Sequence, residues 1–336
     1  MRLTGTLTIF LPVRDGAAYI SAAINSICAQ TDPDWRLVVL DNRSSDDTVT
    51  RVRAINDARI LLEQSADSFS ITESWHRILP KAAEMPPHAL MTLIGHDDLL
   101  KSDFVAAIKH LAAEDPAATL YQTQFELIDS ASMTIRPARP VPLREDADDL
   151  LAALCWGIRD SFGTGYAFRA GDYVRAGGIP LFPRLLYSDH LLFTRLTALG
   201  HKRCSASLGC SYRLHRGSAS NGISASRLSD HARALALFVQ TVGKDFPDFT
   251  LTDRGRLAIA HLLGQELTIL KAPGVQRALS TEAQTATADL EERLNALTGG
   301  NAPDGWPGRS QASWFAQARR WSIGARLFRQ KLGRRA

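Results

Sequence analysis

The apolar run Met91-Thr92-Leu93-Ile94-Gly95 stops at His96-Asp97-Asp98 and resumes with Leu99 and Leu100. Short hydrophobic runs of this kind read as buried strands of a parallel sheet. The carboxyl ends of such strands are where open α/β sheets bind their ligands. Two adjacent carboxylates there are hard oxygen donors, suited to Mg²⁺ or Mn²⁺ beside a phosphate-bearing substrate. Side chains alternate along an extended chain, so one Asp can face a ligand while the other is held by the scaffold. The structural alternative is a solvated turn with Asp98 near the start of the next helix. Two more carboxylates end or begin elements: Asp41 closes another apolar strand, and Asp189, on pattern alone, reads as a helix N-cap.

The elements that must position these groups alternate in type. Strands are expected at Leu7 to Val13, Trp35 to Leu40, Ile60 to Glu63 and Leu120 to Ile128. Helical periodicity covers Tyr19 to Ala29, the stretch through Val49, Val52 and Ile55, and Ile71 to Ala83. This order predicts an α/β fold with a doubly wound, largely parallel sheet. In such a sheet Pro12 to Asp15, Asp41 and Asp97-Asp98 share one edge. Residues Ser130 to Arg144 hold three prolines and little periodicity, and read as a loop over that edge. Asp146 to Trp156 is helical, Gly163-Thr164-Gly165 precedes a short strand ending at Phe168, a helix runs from Tyr187 or Ser188 to Leu199, and Cys204 to Arg213 is the last strand. The pattern from Ser226 onward is helical, with a linker at Gly299 to Gly305. The expected organisation is therefore a sheet domain over 1–225, a helical extension over 226–298, and a linker with a terminal helix over 299–336.

Composition narrows the function classes. The 336 residues are 45% hydrophobic and 22% charged, as in an ordinary globular protein. A net charge of +4 does not by itself imply nucleic acid, and none is expected as a partner. The charge is uneven: from Arg309 onward there are eight basic residues and no acidic one. Trp314, Ala318, Trp321, Ala325, Phe328 and Leu332 fall on one helical face of that segment. A basic amphipathic helix over 306–336 reads as a membrane-surface contact, or as a helix packing on its own domain or on a second subunit of a homodimer. Four cysteines without zinc spacing, no signal-peptide pattern and no spanning segment predict a cytoplasmic protein, peripheral on the inner face of the membrane if the helix anchors it. The phosphate-binding fingerprints G-x-G-x-x-G and the P-loop are missing after the first strand, which argues against a dehydrogenase, a kinase or an ATPase.

The segments LPVRDGAAYISAAINSICAQTDPDWRLVVLDNRSSDDT, LIGHDDLL, GGIPLFPRLLYSDHLLFTRL and YRLHRGSAS, in that order over about residues 5 to 222, resemble family 2 glycosyltransferases of the GT-A fold. The resemblance implies a metal-dependent inverting enzyme. Its donor would be a nucleotide-diphosphate sugar, its acceptor a hydroxyl of a glycan or a lipid-linked molecule, and its setting cell-surface polysaccharide synthesis. It implies that Pro12, Val13, Arg14 and Asp41 line the base and ribose pocket. Asn42 stands where many relatives carry an aspartate that contacts the base, and an amide there both donates and accepts. His96 departs from the first slot of the family's DXD-type motif. Asp98 is the implied ligand for Mn²⁺ or Mg²⁺, with Asp97 contacting the ribose or the metal indirectly. Asp189 matches the general base, which takes the proton of the attacking hydroxyl. His215 matches a histidine that reaches the diphosphate or the metal, and Arg213 and Arg216 are charge partners for phosphate oxygens. Trp156 reads either as a platform stacked on a sugar ring or as core. Gly163 and Gly165 read as close-approach positions for the acceptor. Two other classes fit the pattern less well. A nucleotidyltransferase would need a glycine-rich basic loop after the first strand, and a silent glycan-binding protein would not need Asp98, Asp189 and His215 together.

Overall fold

The computed structural model describes residues 5–215 and 224–298. The chain enters through β1 (Leu7–Val13), α1 (Ile20–Cys28), β2 (Trp35–Asp41), α2 (Thr48–Arg53) and β3 (Ile60–Gln64). Alternation of side chains sends Leu7, Ile9, Leu11 and Val13 of β1 to one face and Phe10 to the other. The first set meets the stripe Ile20, Ala23, Ile24 and Ile27 of α1, whose three- and four-residue spacing makes a single helical face. Both faces of β1 are covered, which is why its sequence is almost continuously apolar.

Next come α3 (Ile71–His76), α4 (Ile78–Ala83), β4 (Leu90–Leu93), β5 (Leu99–Leu100), α5 (Phe104–Glu114) and β6 (Leu120–Ile128). The single helix expected over Ile71 to Ala83 is two. Pro80 lacks the amide that would bond to the His76 carbonyl, and the chain turns at Arg77. The Arg77 guanidinium is thereby aimed at the Leu40 carbonyl, 2.9 Å away, at the end of β2.

The expected loop over 130–144 contains β7 (Thr134–Pro137), a hairpin partner of β6, and ends at β8 (Arg144–Glu145), which pairs with the last strand. All four residues of β7 are exposed, so no apolar alternation marked it. The remaining elements of this part are α6 (Ala147–Cys155), β9 (Tyr166–Arg169), α7 (Ala170–Arg175), a 3-10 turn at Pro183–Leu185, α8 (Ser188–Ala198) and β10 (Lys202–Arg213).

The sheet order is β3-β2-β1-β4-β9-β6-β10-β5. Following the pairings, β1, β2, β3, β4, β6 and β10 all point one way, while the short strands β5, β7, β8 and β9 oppose them. The carboxyl ends of β1, β2, β4, β6 and β10 therefore share one edge with the amino end of β9.

Beyond the sheet lie α9 (Ala225–Asp245), α10 (Pro247–Leu251), α11 (Asp253–Leu270), α12 (Pro273–Gln276) and α13 (Thr281–Thr298). Their apolar cluster includes Leu235, Phe238, Leu263 and Leu290, and it also takes in Leu151, Cys155, Phe182 and Leu191 from the sheet part. The extension is thus packed against α6, α8 and the turn between them. The linker, Arg216 and the basic amphipathic segment fall outside the described residues.

Candidate active site

The chain leaves β4 through Gly95, where a side chain has no room. A Cβ there would stand 2.8 Å from an Asp97 oxygen and 3.0 Å from an Asp98 oxygen. The two carboxylates have separate surroundings. Asp98 is only 2% exposed. Its Oδ1 accepts the Arg213 amide at 2.9 Å, and its Oδ2 accepts the Thr164 hydroxyl. Burial, and then the charge of Asp97, hold the Asp98 carboxyl well above the usual carboxylate range. Asp97 is more open, with 19% of its side chain exposed against 13% for His215, and its Oδ2 lies 2.8 Å from His215 Nε2. The His215 ring packs on Tyr19, with centroids 4.8 Å apart.

The two carboxylates, of which Asp98 was the expected metal ligand, differ in exposure. Asp98 belongs to the wall, with each oxygen already accepting a protein hydrogen bond, and Asp97 is the carboxylate that faces outward beside His215. Half-buried His96 lies against the loop after β1, its ring 2.6 Å from where a Cβ on Gly16 would stand. Burial lowers its pKa and favours the neutral imidazole.

Arg213 is not free to meet phosphate, contrary to expectation. At 1% exposure its guanidinium donates to the Asp97 carbonyl (2.7 Å), the Asp129 carbonyl (2.8 Å) and Ser132 Oγ (2.9 Å). It pins the β6–β7 turn to the Asp97-Asp98 loop. Its Nη2 is buried and has no hydrogen-bond partner among the described residues.

At the exits of β1 and β2 the expected pocket lining is also partly redistributed. The side chains of Pro12 and Val13 are buried, which leaves Arg14 as the exposed group, and its Nη1 donates to Ser68 Oγ at 2.6 Å. Asn42, expected at the base, is buried, and its amide donates to the Phe69 carbonyl (2.9 Å) and accepts the Phe69 amide (2.8 Å). It clamps the 65–70 segment. Asp41 is buried too. Its Oδ2 accepts the Ser44 amide at 3.3 Å, whereas Oδ1 has no partner among the described residues.

Asp189 is in the first turn of α8, one position beyond its first residue and two beyond the cap residue Tyr187, where a negative charge is favoured by the helix dipole. It is half-buried, and its Oδ1 accepts the adjacent His190 amide at 2.9 Å. Beneath it, burial raises the pKa of the Tyr166 phenol, and Asp189 is close enough to add to that rise. Tyr166 follows Thr164 by two residues, so the amino end of β9 connects the surroundings of Asp98 and Asp189.

Trp156 and Gly165 each meet a residue distant in the sequence. Trp156 packs on His261 of α11, with centroids 4.5 Å apart, in the helical cluster. Gly165 has φ +92°, and a Cβ there would stand 2.6 Å from Cys210 Sγ. Thr164 is the residue that sequence reasoning passed over. Its signal was a lone hydroxyl between two glycines at the ligand edge.

The donor set suits a hard cation held by few protein groups. Among the described residues no group of three or more His, Cys, Asp or Glu side chains forms a metal cage. Asp97 and His215 supply a carboxylate and an imidazole, with buried Asp98 behind them. A Mg²⁺-like ion typically takes one or two carboxylates and completes its shell with water and substrate phosphates.

The family model for glycosyl transferase family 2 matches residues 8–127. No curated protein matches the chain by sequence. Among solved structures, the chain is similar to residues 1–349 of S. aureus TarS in complex with UDP-GlcNAc, with 15% identity and TM-score 0.63, covering 87% of this chain and 83% of that one. The same TarS segment with UDP gives 13% identity and TM-score 0.61 at the same coverage. GalNAc-T7 with UDP, GalNAc and Mn²⁺ gives 10% identity and TM-score 0.54, covering 87% of this chain and 55% of that one. The match to glycosyl transferase family 2 thus covers β1 to β6, and the sheet topology and these neighbours show the GT-A fold.

Proposed function

We propose that the chain is a metal-dependent inverting glycosyltransferase that moves a sugar from a nucleoside-diphosphate sugar to a hydroxyl of a glycan or lipid-linked acceptor in cell-surface polysaccharide synthesis. The observation that carries this reading is the outward-facing Asp97–His215 pair on the edge that also holds Asp41, whose buried Oδ1 has no partner among the described residues. In this reading Asp97 and His215 hold Mn²⁺ or Mg²⁺, and Asp98 supports them from the wall. When bound, the cation supplies positive charge that stabilises the departing diphosphate. Asp41 Oδ1 is a buried acceptor that calls for a donor on the base or ribose. Arg14 lines the mouth of the same pocket. The Asp189 carboxylate takes the proton from the acceptor hydroxyl as its oxygen bonds to the anomeric carbon. The bond from that carbon to the phosphate oxygen breaks, and its electron pair leaves with the diphosphate. The TarS complexes with UDP-GlcNAc and UDP support a uridine nucleotide as the first donor class to test.

Asp189→Asn is expected to lower turnover by about 10²–10⁴-fold while UDP still binds. Asp97→Asn is expected to abolish the extra thermal stabilisation that Mn²⁺ gives in the presence of UDP. Full turnover by the first variant, or undiminished Mn²⁺ dependence in the second, would overturn the assignment concerned. No helix among the described residues is long and apolar enough to cross a membrane. We assign membrane contact to the basic 306–336 segment on its sequence pattern alone. Equal flotation with anionic liposomes after its deletion would refute that contact.

A further inference from the structure

The segment that carries Asp189 into the site is held in an unfavourable backbone state. Arg184, Leu185 and Tyr187 have φ of 55°, 60° and 62°, three left-handed residues that are not glycine within four positions. Side-chain-bearing residues persist there only where the surroundings over-determine them. Part of that constraint is local: Ser188 Oγ donates to the Pro180 carbonyl at 2.8 Å, and Thr72 Oγ1 to the Phe182 carbonyl at 3.1 Å.

More comes from the helical extension. The Tyr187 hydroxyl lies 3.1 Å from His231 Nε2 on α9, and the same nitrogen lies 3.1 Å from Glu266 Oε2 on α11. The Tyr187 ring stacks on Phe238 of α9, with centroids 5.3 Å apart at 23°. Leu186 and Tyr187 pack against the apolar cluster of the extension. Apolar side chains would fill this space equally well, but burial alone has no direction. A hydroxyl and a buried carboxylate that meet at one imidazole nitrogen select one orientation of the chain.

We propose that His231 and Glu266 are positioning residues for Asp189. They anchor the Tyr187 hydroxyl, and so fix the start of α8 and the direction in which its first turn presents the carboxylate. The inference rests on the reading of Asp189 as the base.

The test uses the full chain and three variants: Tyr187→Phe, which keeps the stacked ring, His231→Leu, and Glu266→Gln, which keeps an acceptor for the imidazole. Amide hydrogen exchange over 184–190 is expected to quicken at least tenfold in the first two and to stay near wild type in the third, with exchange over 41–44 unchanged in all. With UDP-GlcNAc as donor and UDP release as the signal, kcat is expected to fall at least tenfold in the first two, with KM and the Kd for UDP within twofold. Should His231→Leu fail to fold, Tyr187→Phe decides. Unchanged exchange in Tyr187→Phe overturns the inference, and so does quickened exchange with kcat intact when Asp189→Asn is inactive. Full turnover by Asp189→Asn removes the base reading, and this inference with it, independently of the other variants.

Discussion

Asp97 and Asp98 are neighbours in sequence, yet one is a wall and the other a surface. The difference is set by what each side chain meets: Thr164 and the Arg213 amide on one side, His215 and the open edge on the other. Thr164→Val removes a hydroxyl that donates to Asp98, and leaves a buried carboxyl short of a partner. The expected loss is about 1–3 kcal/mol, read by urea unfolding of the cation-free protein. A second residue-scale prediction concerns Asp57, whose carboxyl is lowered to about 2, first by the Arg59 guanidinium and then by the Arg59 amide. The folded pKa lies below the unfolded value of about 3.9. The pair's stabilisation is therefore present above about pH 4 and is lost as pH falls towards 2. Asp57→Asn is expected to be less stable than wild type at pH 6 and to converge with it near pH 2, as measured by thermal melts across that range.

Among the elements, the glycine just before β9 and one inside α11 have opposite consequences. Gly165 begins the approach to β9 with φ +92° and no space beside Cys210. Gly165→Ala is expected to cost at least about 1–3 kcal/mol from the backbone alone, before the overlap is relieved. Gly264 is inside α11 with nothing within 4 Å of its would-be Cβ. Gly264→Ala is expected to stabilise by up to about 1 kcal/mol, since alanine loses less backbone freedom in a helix. Melting temperatures that move the same way in both variants would contradict this account. Most elements were legible because long apolar runs and the stripe of α1 carry their periodicity openly. The break at Arg77 was written in Pro80, but the helical pattern on either side ran through it. The strand β7 left no apolar pattern because all of its residues are exposed, and its pairing with β6 is a matter of backbone bonds and the Thr134 hydroxyl on Glu126.

At the scale of the whole molecule, the helical extension shares one apolar cluster with α6, α8 and the turn before it. A chain ending at residue 224 would expose Leu151, Cys155, Phe182 and Leu191, all buried in the full protein. Such a chain is expected to be insoluble, or to bind an apolar dye and melt without a cooperative transition. Cooperative melting at the temperature of the full chain would show that the sheet part stands alone. By itself, the order of residues determined the alternation of strands and helices, and with it the edge where Asp41, Asp97 and Asp98 converge. Those features follow from periodicity and from the common direction of parallel strands. Only the tertiary structure decided which of these groups stay open to a ligand. Asn42, Arg213, Trp156 and Gly165 are each engaged by a residue distant in the sequence (Phe69, Asp129, His261 and Cys210), because hydrogen-bonding capacity and close packing are settled by neighbours in space.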